Sequence, residues 1–386
     1  MTSSSLPDPA LAGTVHDPER SVLVAMSGGV DSSVVAWMLR EAGHPLVGVF
    51  MRNGVKVAPG EESKKSCCSV SDARDARMVA AGLGIPFQAV DLSTEFRSII
   101  DYFVEEYRAG RTPNPCAVCN RDLKFDALMD LADQLGAAGV ATGHYARIDL
   151  HQGRVRVRRG VDTRKDQSYQ LFAVSERNLA RTRLPLGDLE KPAVRALAEK
   201  AGLRTAKKRD SQEICFVPSN DYRELLQQRG VELRPGTIVD TSGRHLRDHD
   251  GIENFTVGQR RGHGVGGSVN ALYVVELLPE EGIVVLGSKA ECHATAMEVE
   301  AVNWIGVDAP GPEGARVDVQ VRYHHRAAPS RIELDGDRAR IEFDAPQLAV
   351  TPGQGAAFYD GDRMIGGGWI ARTERVGLES AGGAAL

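Results

Sequence analysis

Long apolar runs are missing from this chain, and those present are far too short to cross a bilayer, so no membrane-spanning helix is expected. A secretory leader is missing too. The first twenty residues are rich in Ser, Pro and Asp, with no basic start and no apolar core. They read as a disordered tail (1–20), as does the Gly/Ala-rich end (377–386). Cysteine is scarce, at six in 386 residues. So few thiols without a leader point to a reducing compartment, the cytoplasm, and to reactive or metal-bound roles. A net charge of −5 excludes a generally basic nucleic-acid binder. The charge is unevenly spread, however: residues 154–209 hold sixteen Lys/Arg against six Asp/Glu. Further basic clusters are Gln259-Arg260-Arg261-Gly262-His263 and Arg322-Tyr323-His324-His325-Arg326. Such a face suits a polyanion held at one place, and equally a solvated surface. There is no internal repeat.

Two familiar phosphate signatures are also lacking. No G-K-[ST] closes a Walker loop, and no G-x-G-x-x-G opens a dinucleotide site. In their place stands Val22-Leu23-Val24-Ala25-Met26-Ser27-Gly28-Gly29-Val30-Asp31-Ser32-Ser33. It reads as a buried strand, a glycine turn, and a helix running on through Val34, Val35, Trp37, Met38 and Leu39. Adjacent glycines let the backbone turn sharply and lie close to a ligand. Serine hydroxyls and the positive end of the helix make the turn a site for an anion, most simply a phosphate.

After this joint the first half alternates strands (45–51, 86–90, 138–142) with helices (71–83, 96–108, 125–135, 169–179, 191–201). That alternation predicts a doubly wound parallel sheet, with ligands at the carboxyl ends of its strands. The Ser-Gly-Gly turn, Met51 and Gly143 all fall there. Past residue 209 the pattern becomes short alternating segments: 237–239, 272–275, 283–286, 316–321, 331–334 and 340–343. These predict a small C-terminal β-barrel after a compact linking domain. The expected divisions are 21–210, 211–287 and 288–376, and 386 residues suffice for such a set of cores.

The cysteines add a second clue. Cys116 and Cys119 lie in Thr112-Pro113-Asn114-Pro115-Cys116-Ala117-Val118-Cys119-Asn120, with Asp122 placed to cap the next helix. Beside a helix start and near Arg121 and Lys124, such a thiol favours the nucleophilic thiolate. Cys215 lies about a hundred residues on, just after Lys207-Lys208-Arg209. Two other readings stay open. Cys67, Cys68, Cys116 and Cys119 could hold a structural zinc, although adjacent cysteines make awkward co-ligands. Cys215 could be a small buried apolar residue between Ile214 and Phe216.

Seven stretches together resemble one family: Ser27-Gly28-Gly29-Val30-Asp31-Ser32, Thr112-Pro113-Asn114-Pro115 with Cys119-Asn120, Ala141-Thr142-Gly143-His144-Tyr145, Lys165-Asp166-Gln167-Ser168-Tyr169, Ile214-Cys215-Phe216, Thr256-Val257-Gly258-Gln259-Arg260, and Thr351-Pro352-Gly353-Gln354. In this order they resemble the tRNA-specific 2-thiouridylases, within the ATP-pyrophosphatase loop superfamily. The resemblance implies an ATP-pyrophosphatase domain, a small central domain and a β-barrel. It implies that Ala25, Met26, Ser27, Gly28, Gly29, Val30, Asp31 and Ser32 hold ATP with Mg²⁺, and that Met51 and Gly143 line its nucleoside end. It gives Cys119 and Cys215 the catalytic roles, Cys215 carrying sulfur as a persulfide and the two ending as a disulfide. Asn114, Pro115 and Cys116 would face the target base, while Lys165, Asp166, Gln167, Arg322 and Tyr323 touch the tRNA. His144 and Gln354 would help set recognition. The implied partners are a tRNA with a wobble uridine and a persulfide donor, met by a monomer. Cys116 holds a place where some members carry an acidic residue, and Asn53-Gly54 lacks the aromatic expected after Asn. An ATP-pyrophosphatase amide ligase and a non-enzymatic RNA-binding protein are the readings of other classes. Neither uses a pair of distant thiols.

Overall fold

The computed structural model describes residues 19–55, 69–208, 214–217, 221–266 and 271–377. Cys67, Cys68, residues 209–213 and most of the two expected tails (1–18 and 378–386) lie outside the described residues.

Strand β1 (Val22–Ala25) is followed by α1 (Val30–Glu41), β2 (Leu46–Arg52), α2 (Val70–Gly82), β3 (Phe87–Asp91), α3 (Ser93–Arg108), α4 (Pro115–Val118), α5 (Leu128–Gln134) and β4 (Gly139–Ala141). The strands run parallel in the order β3-β2-β1-β4. Because side chains alternate across a strand, β1 feeds both faces of the sheet. Val22 and Val24 pack under α1 and α2, whereas Leu23 joins Leu128, Met129 and Ala132 of α5 on the other side. This is the doubly wound sheet that the sequence predicts.

The chain then leaves the sheet. A hairpin of β5 (Ala146–His151) and β6 (Arg154–Arg159) intervenes before the short α6 (Glu176–Leu179) and β7 (Thr182–Arg183). β7 returns to pair with β4, and α7 (Lys191–Lys200) packs beside α1. The helix expected over 169–179 is broken: Ser168–Leu171 is a tight 3₁₀ turn, and α6 starts afresh where Ser175 caps it. The cause lies across the molecule. Asn303 Nδ2 donates to the carbonyls of Phe172 and Val174, 2.9 Å each, and so takes acceptors that a continuous helix would use.

The central unit follows α8 (Tyr222–Gln228) with β8 (Gly236–Asp240), β9 (His245–His249), β10 (Tyr273–Leu278) and β11 (Ile283–Gly287). Its sheet has the order β10-β11-β8-β9 around Ile238, Ile252, Val274, Val284 and Leu286. The last unit comprises β12 (His293–Trp304), β13 (Ala315–Gln320), β14 (Ala328–Asp335), β15 (Arg338–Leu348), β16 (Gly355–Asp360) and β17 (Arg363–Arg375). β12 pairs with both β15 and β17, which closes the expected barrel. β9, β12, β16 and β17 are strands that the alternating pattern did not reveal. β17 is rich in glycine at its centre for a packing reason: a Cβ at Gly367 would stand 2.7 Å from the Cβ of Phe172.

The first half and the barrel share one core. β6 extends the barrel sheet by pairing with β17, Val157 opposite Met364. Tyr169, Phe172, Ala357, Tyr359 and Met364 pack as one cluster with the hairpin. Fully burying one such aromatic contributes about 1.5–3 kcal/mol. Arg159 lies over the Tyr359 ring, 3.7 Å from its centroid, and donates to Asp166 at 2.9 Å. The barrel also grips the loop before α4. Thr112 N–H donates to Pro352 O at 2.9 Å, and Gln354 Nε2 donates to the carbonyls of Thr112 (3.1 Å) and Pro113 (2.8 Å). Gln354→Ala leaves those two carbonyls without their side-chain donor and is expected to cost about 1–2 kcal/mol. Thermal unfolding of this variant checks it; an unchanged transition would mean that the clamp carries no stability.

Candidate active site

The Ser-Gly-Gly turn is shaped by backbone more than by side chains. Met26 and Val30 point into the core, and Ala25 is barely exposed, so these three offer a ligand only main-chain groups. Gly28 adopts φ 74°, and a Cβ there would lie 2.2 Å from the backbone oxygen of Asp72. Gly29 differs: a Cβ would meet only Ser27 Oγ, at an ordinary 3.4 Å. Gly29 starts α1 without any side-chain cap, which leaves the first-turn amides directed at the turn. Ser32 Oγ accepts from Ser27 N–H at 3.1 Å and lies 3.2 Å from Ser27 Oγ, so two hydroxyls face each other across the turn. Gly143 closes the other side, where a Cβ would come 3.1 Å from Asp31 Cβ and 3.3 Å from Ser32 N.

Two lysines that sequence reasoning missed complete this site. Lys191 Nζ donates to both Asp31 oxygens at 2.7 and 2.8 Å, and Tyr145 OH donates to Asp31 Oδ1 at 2.9 Å. Lys208 Nζ donates to Gly28 O at 2.9 Å, to Asp72 at 2.6 Å and to Asp75 at 2.7 Å. Burial works against the Lys208 charge, yet its bonds to Asp72 and Asp75 hold its pKa above the usual lysine value. Lys191 stands 160 residues from Asp31 and Lys208 180 from Gly28, inside a stretch that also reads as solvated surface, so no local spacing marks them. At the carboxyl end of β2, Met51 packs against two apolar clusters. Asn53 follows, only 6% exposed; its Oδ1 accepts from Val55 N–H, while its Nδ2 has no partner among the described residues. A buried open donor, uncapped helix amides and two nearby ammonium groups fit a nucleotide triphosphate.

The thiol segment corrects one expectation. The helix does not begin at 125 under an Asp122 cap. It begins at Pro115, capped by Asn114, whose Oδ1 accepts from Ala117 N–H at 3.2 Å. Proline at the first helical position suits this start, because its missing N–H is not needed there. Asp122 pairs instead with Arg121. The helix then widens into π-type turns over Cys119–Ala127, a local irregularity that frequently marks functional sites. Cys116 and Cys119, three residues apart, therefore lie on one helix face, Cys116 exposed and Cys119 half-buried.

His144 holds the irregular turn in place. Asn120 Nδ2 donates to Gln170 O, so its Oδ1 accepts from His144 Nε2–H at 3.2 Å; Thr142 OH then donates to Nδ1 at 2.6 Å. Burial keeps this imidazole neutral, with a pKa well below the usual value of 6.5, and the nearby Lys124 charge adds to the effect.

Cys215 is not fully buried, as a small apolar core residue between Ile214 and Phe216 would be. It is half-buried, while Phe216 beside it anchors edge-on between Phe96 (5.7 Å) and Phe103 (5.2 Å). Cys119 and Cys215 both pack against this same cluster, which includes Val118, Leu123 and Phe216. Among the described residues no group of three or more His, Cys, Asp or Glu could hold a metal ion.

The remaining expected contacts divide. Asn114, Pro115, Cys116, Tyr169 and Tyr323 come together: Asn114 Nδ2 donates to Tyr169 OH at 3.4 Å, and Tyr169 lies 6.4 Å from Tyr323. Burial first, then Asp166 and Cys116, push the Tyr323 hydroxyl up to about 12. Arg322 is exposed and Lys165 half-buried. Asp166 and Gln167 serve the interior instead. The Asp166 carboxylate accepts from the Gly160 and Ser168 amides, the Ser168 hydroxyl and Arg159. Gln167 Oε1 accepts from Tyr145 N–H at 3.0 Å.

Two outcomes test this geometry. Gly28→Ala should unfold at clearly lower temperature, whereas Gly29→Ala should melt like the parent; equal melting would remove the distinction between the glycines. Below about pH 6.5 the unfolded chain gains a proton at His144 that the folded chain refuses, so stability present above that pH is lost on acidification. His144→Gln should therefore flatten the fall in stability between about pH 7 and pH 5 by up to one proton, ~1.4 kcal/mol per pH unit. Denaturant titrations across that range read it directly, and parallel slopes would place a proton on His144 in the folded state.

Three family models match successive stretches of the chain. Residues 20–219 match the family model described as tRNA methyl transferase HUP domain, 223–288 the tRNA methyl transferase PRC-barrel domain, and 294–370 the aminomethyltransferase beta-barrel domain. The tRNA-specific 2-thiouridylase MnmA of Solibacter usitatus is 46% identical over 370 residues, covering 92% of this chain and 100% of that one. The protein of the same name from Geobacter metallireducens is 46% identical over 364 residues, covering 92% and 98%. That of Rhodopirellula baltica is 41% identical over 385 residues, covering 91% and 96%. Such identity along nearly the whole of both chains leaves one conclusion: the chain belongs to the tRNA-specific 2-thiouridylase family.

Proposed function

We propose that this protein exchanges the 2-oxygen of a tRNA wobble uridine for sulfur, in an ATP-dependent reaction that yields 2-thiouridine, AMP and pyrophosphate. The observation that carries the reading is one placement. Cys119 and Cys215 flank a single apolar cluster, and Met51 ties that cluster to the strand end beside the Ser27–Ser32 turn. Activation and sulfur delivery would then take place near one another.

The amides at the start of α1, with Ser27 and Ser32, bind the triphosphate, and Gly29 leaves room for it. Lys191 and Lys208 add positive charge where phosphate charge must be offset. Mg²⁺, when bound, would draw charge from the phosphate oxygens; Asp31 would hold it by releasing Lys191, which here takes both of its oxygens. Met51 and Gly143 line the nucleoside end. The uracil O2 attacks the α-phosphorus and pyrophosphate leaves, so the oxygen departs later as AMP rather than as a poor leaving group. Cys215 carries the incoming sulfur as a persulfide, supplied by a donor protein. Its terminal sulfur attacks C2, AMP is expelled, and a C2–S–S–Cys215 linkage remains. The Cys119 thiolate then attacks Cys215 Sγ, the 2-thiouridine sulfur leaves, and a Cys119–Cys215 disulfide forms. A two-electron reductant resets both thiols.

Lys165, Arg322 and Tyr323 contact the tRNA, and Asn114, Pro115 and Cys116 border the flipped base. Asp166, Gln167, His144 and Gln354 act by holding those contacts in position. The cytoplasm, and a monomer, complete the reading. Methyl transfer, named in the domain descriptions, would add a carbon instead of exchanging an oxygen, and product mass separates the two.

Cys119→Ser and Cys215→Ser should each stop thiolation while ATP and tRNA binding stay close to normal. Cys116→Ser should keep at least part of the activity. Gly29→Val should stop AMP formation without loss of fold, by filling the space left for phosphate. A thiol-blocked peptide map after one turnover should show Cys119 joined to Cys215, which needs their Cα atoms within about 7 Å at that stage. Thiolation by the Cys215→Ser enzyme would end this mechanism.

A further inference from the structure

The turn after β13 continues past Arg322 and Tyr323 into His324, a residue to which the family resemblance assigns nothing. Among the described residues His324 is one of four other than glycine with positive φ, at 62°. Histidine tolerates this left-handed region better than most side chains, yet still at a cost, and such strain gathers at functional sites. Its ring is exposed and sits against Tyr323, with centroids 3.9 Å apart and planes 41° apart. Tyr323, half-buried, is followed inward by the fully buried Tyr169, whose hydroxyl meets Asn114. Three rings thus step from the cap of the thiol helix out to solvent. Near the middle step, Cys116 is close enough to bear on the charge of the Tyr323 hydroxyl.

Proteins that bind splayed single-stranded RNA rest bases on exposed aromatic faces, and any base can stack there. A uridine drawn out of its stack leaves a neighbouring base with one face uncovered. Resting on the proposed tRNA substrate, we propose that the exposed face of His324 is the stacking platform for a base next to the target uridine. It is a positioning residue for RNA and takes no part in the transfer of sulfur. The rings behind it fix its height above Asn114 and Cys116, and the left-handed backbone turns it outward. Because stacking ignores base identity, the platform sets register rather than sequence.

Two substitutions separate ring from backbone. His324→Gly removes the ring and relieves the strained φ; His324→Phe keeps a ring without charge or hydrogen-bonding nitrogens. The probe is a synthetic anticodon stem-loop RNA with a wobble uridine, titrated at several salt concentrations beside thermal unfolding. The Gly variant should melt at or above the parent temperature and bind RNA about tenfold more weakly. The Phe variant should bind within about twofold of the parent, with the same salt slope. An abasic position at one neighbour of the uridine should erase the difference between parent and Gly variant. Parent-like binding by His324→Gly overturns the platform, and so does a Phe variant no better than Gly, which would point to charge or hydrogen bonding. A parent protein that neither binds nor thiolates the intact stem-loop overturns the proposed function itself, a result distinct from either failure at His324.

Discussion

The loop of Thr112 and Pro113 is held by a segment of chain some 240 residues away. Gln354 and Pro352 of the barrel engage Thr112 and Pro113, and Asn114 immediately caps the helix that carries both Cys116 and Cys119. The helix, and both thiols on it, inherit their position from this grip. Backbone groups at a domain seam must find partners, and here those partners are also the reference frame for the thiols. His144 extends the same frame to the Ser27–Ser32 turn, since it bonds Asn120 within the π-type turn and sits one residue after Gly143, which packs on Asp31.

The Ser27–Ser32 turn solves a different problem. In the proposed reading it presents bare backbone to a polyanion and must not collapse when none is bound. Gly28 provides the bend and is sealed against Asp72, while Lys208 ties its carbonyl to two carboxylates. Asp31 is in turn held by Lys191 and Tyr145. Two ammonium groups thus stand beside the turn among three carboxylates, already fixed in place. Preorganised groups of this kind need little rearrangement to meet developing phosphate charge.

Much of this was legible in the sequence wherever the signal is local. The β1-turn-α1 joint, the parallel sheet and the change to short strands all rest on spacing within a few residues. Local reasoning failed where a distant partner decides the outcome. Asn303 breaks the expected 169–179 helix from across the barrel. β16 and β17 are rich in small residues because Phe172 lies against them, so they lack the apolar alternation that betrays a strand. Lys191 and Lys208 look like surface charge until the fold brings Asp31 and Gly28 to them. Asn114 could be read as a helix cap by its type, but Asp122 offered an equally good local signal. Only the proline after Asn114 favoured the true start.

The hairpin of β5 and β6 has a bearing on how the chain is born. Val157 finds its ladder partner Met364 only after the whole central unit and most of the barrel have been made. At ordinary synthesis rates that interval is on the order of ten to forty seconds. Throughout it, an edge rich in hydrogen-bonding groups stands open beside Tyr169 and Phe172, which still lack the barrel wall that buries them. The nascent first half is therefore complete in its parallel sheet but not at its flank. A ribosome stalled before the last strand would display that open edge and uncovered aromatic surface, and truncation anywhere upstream of β17 removes more than a C-terminal module.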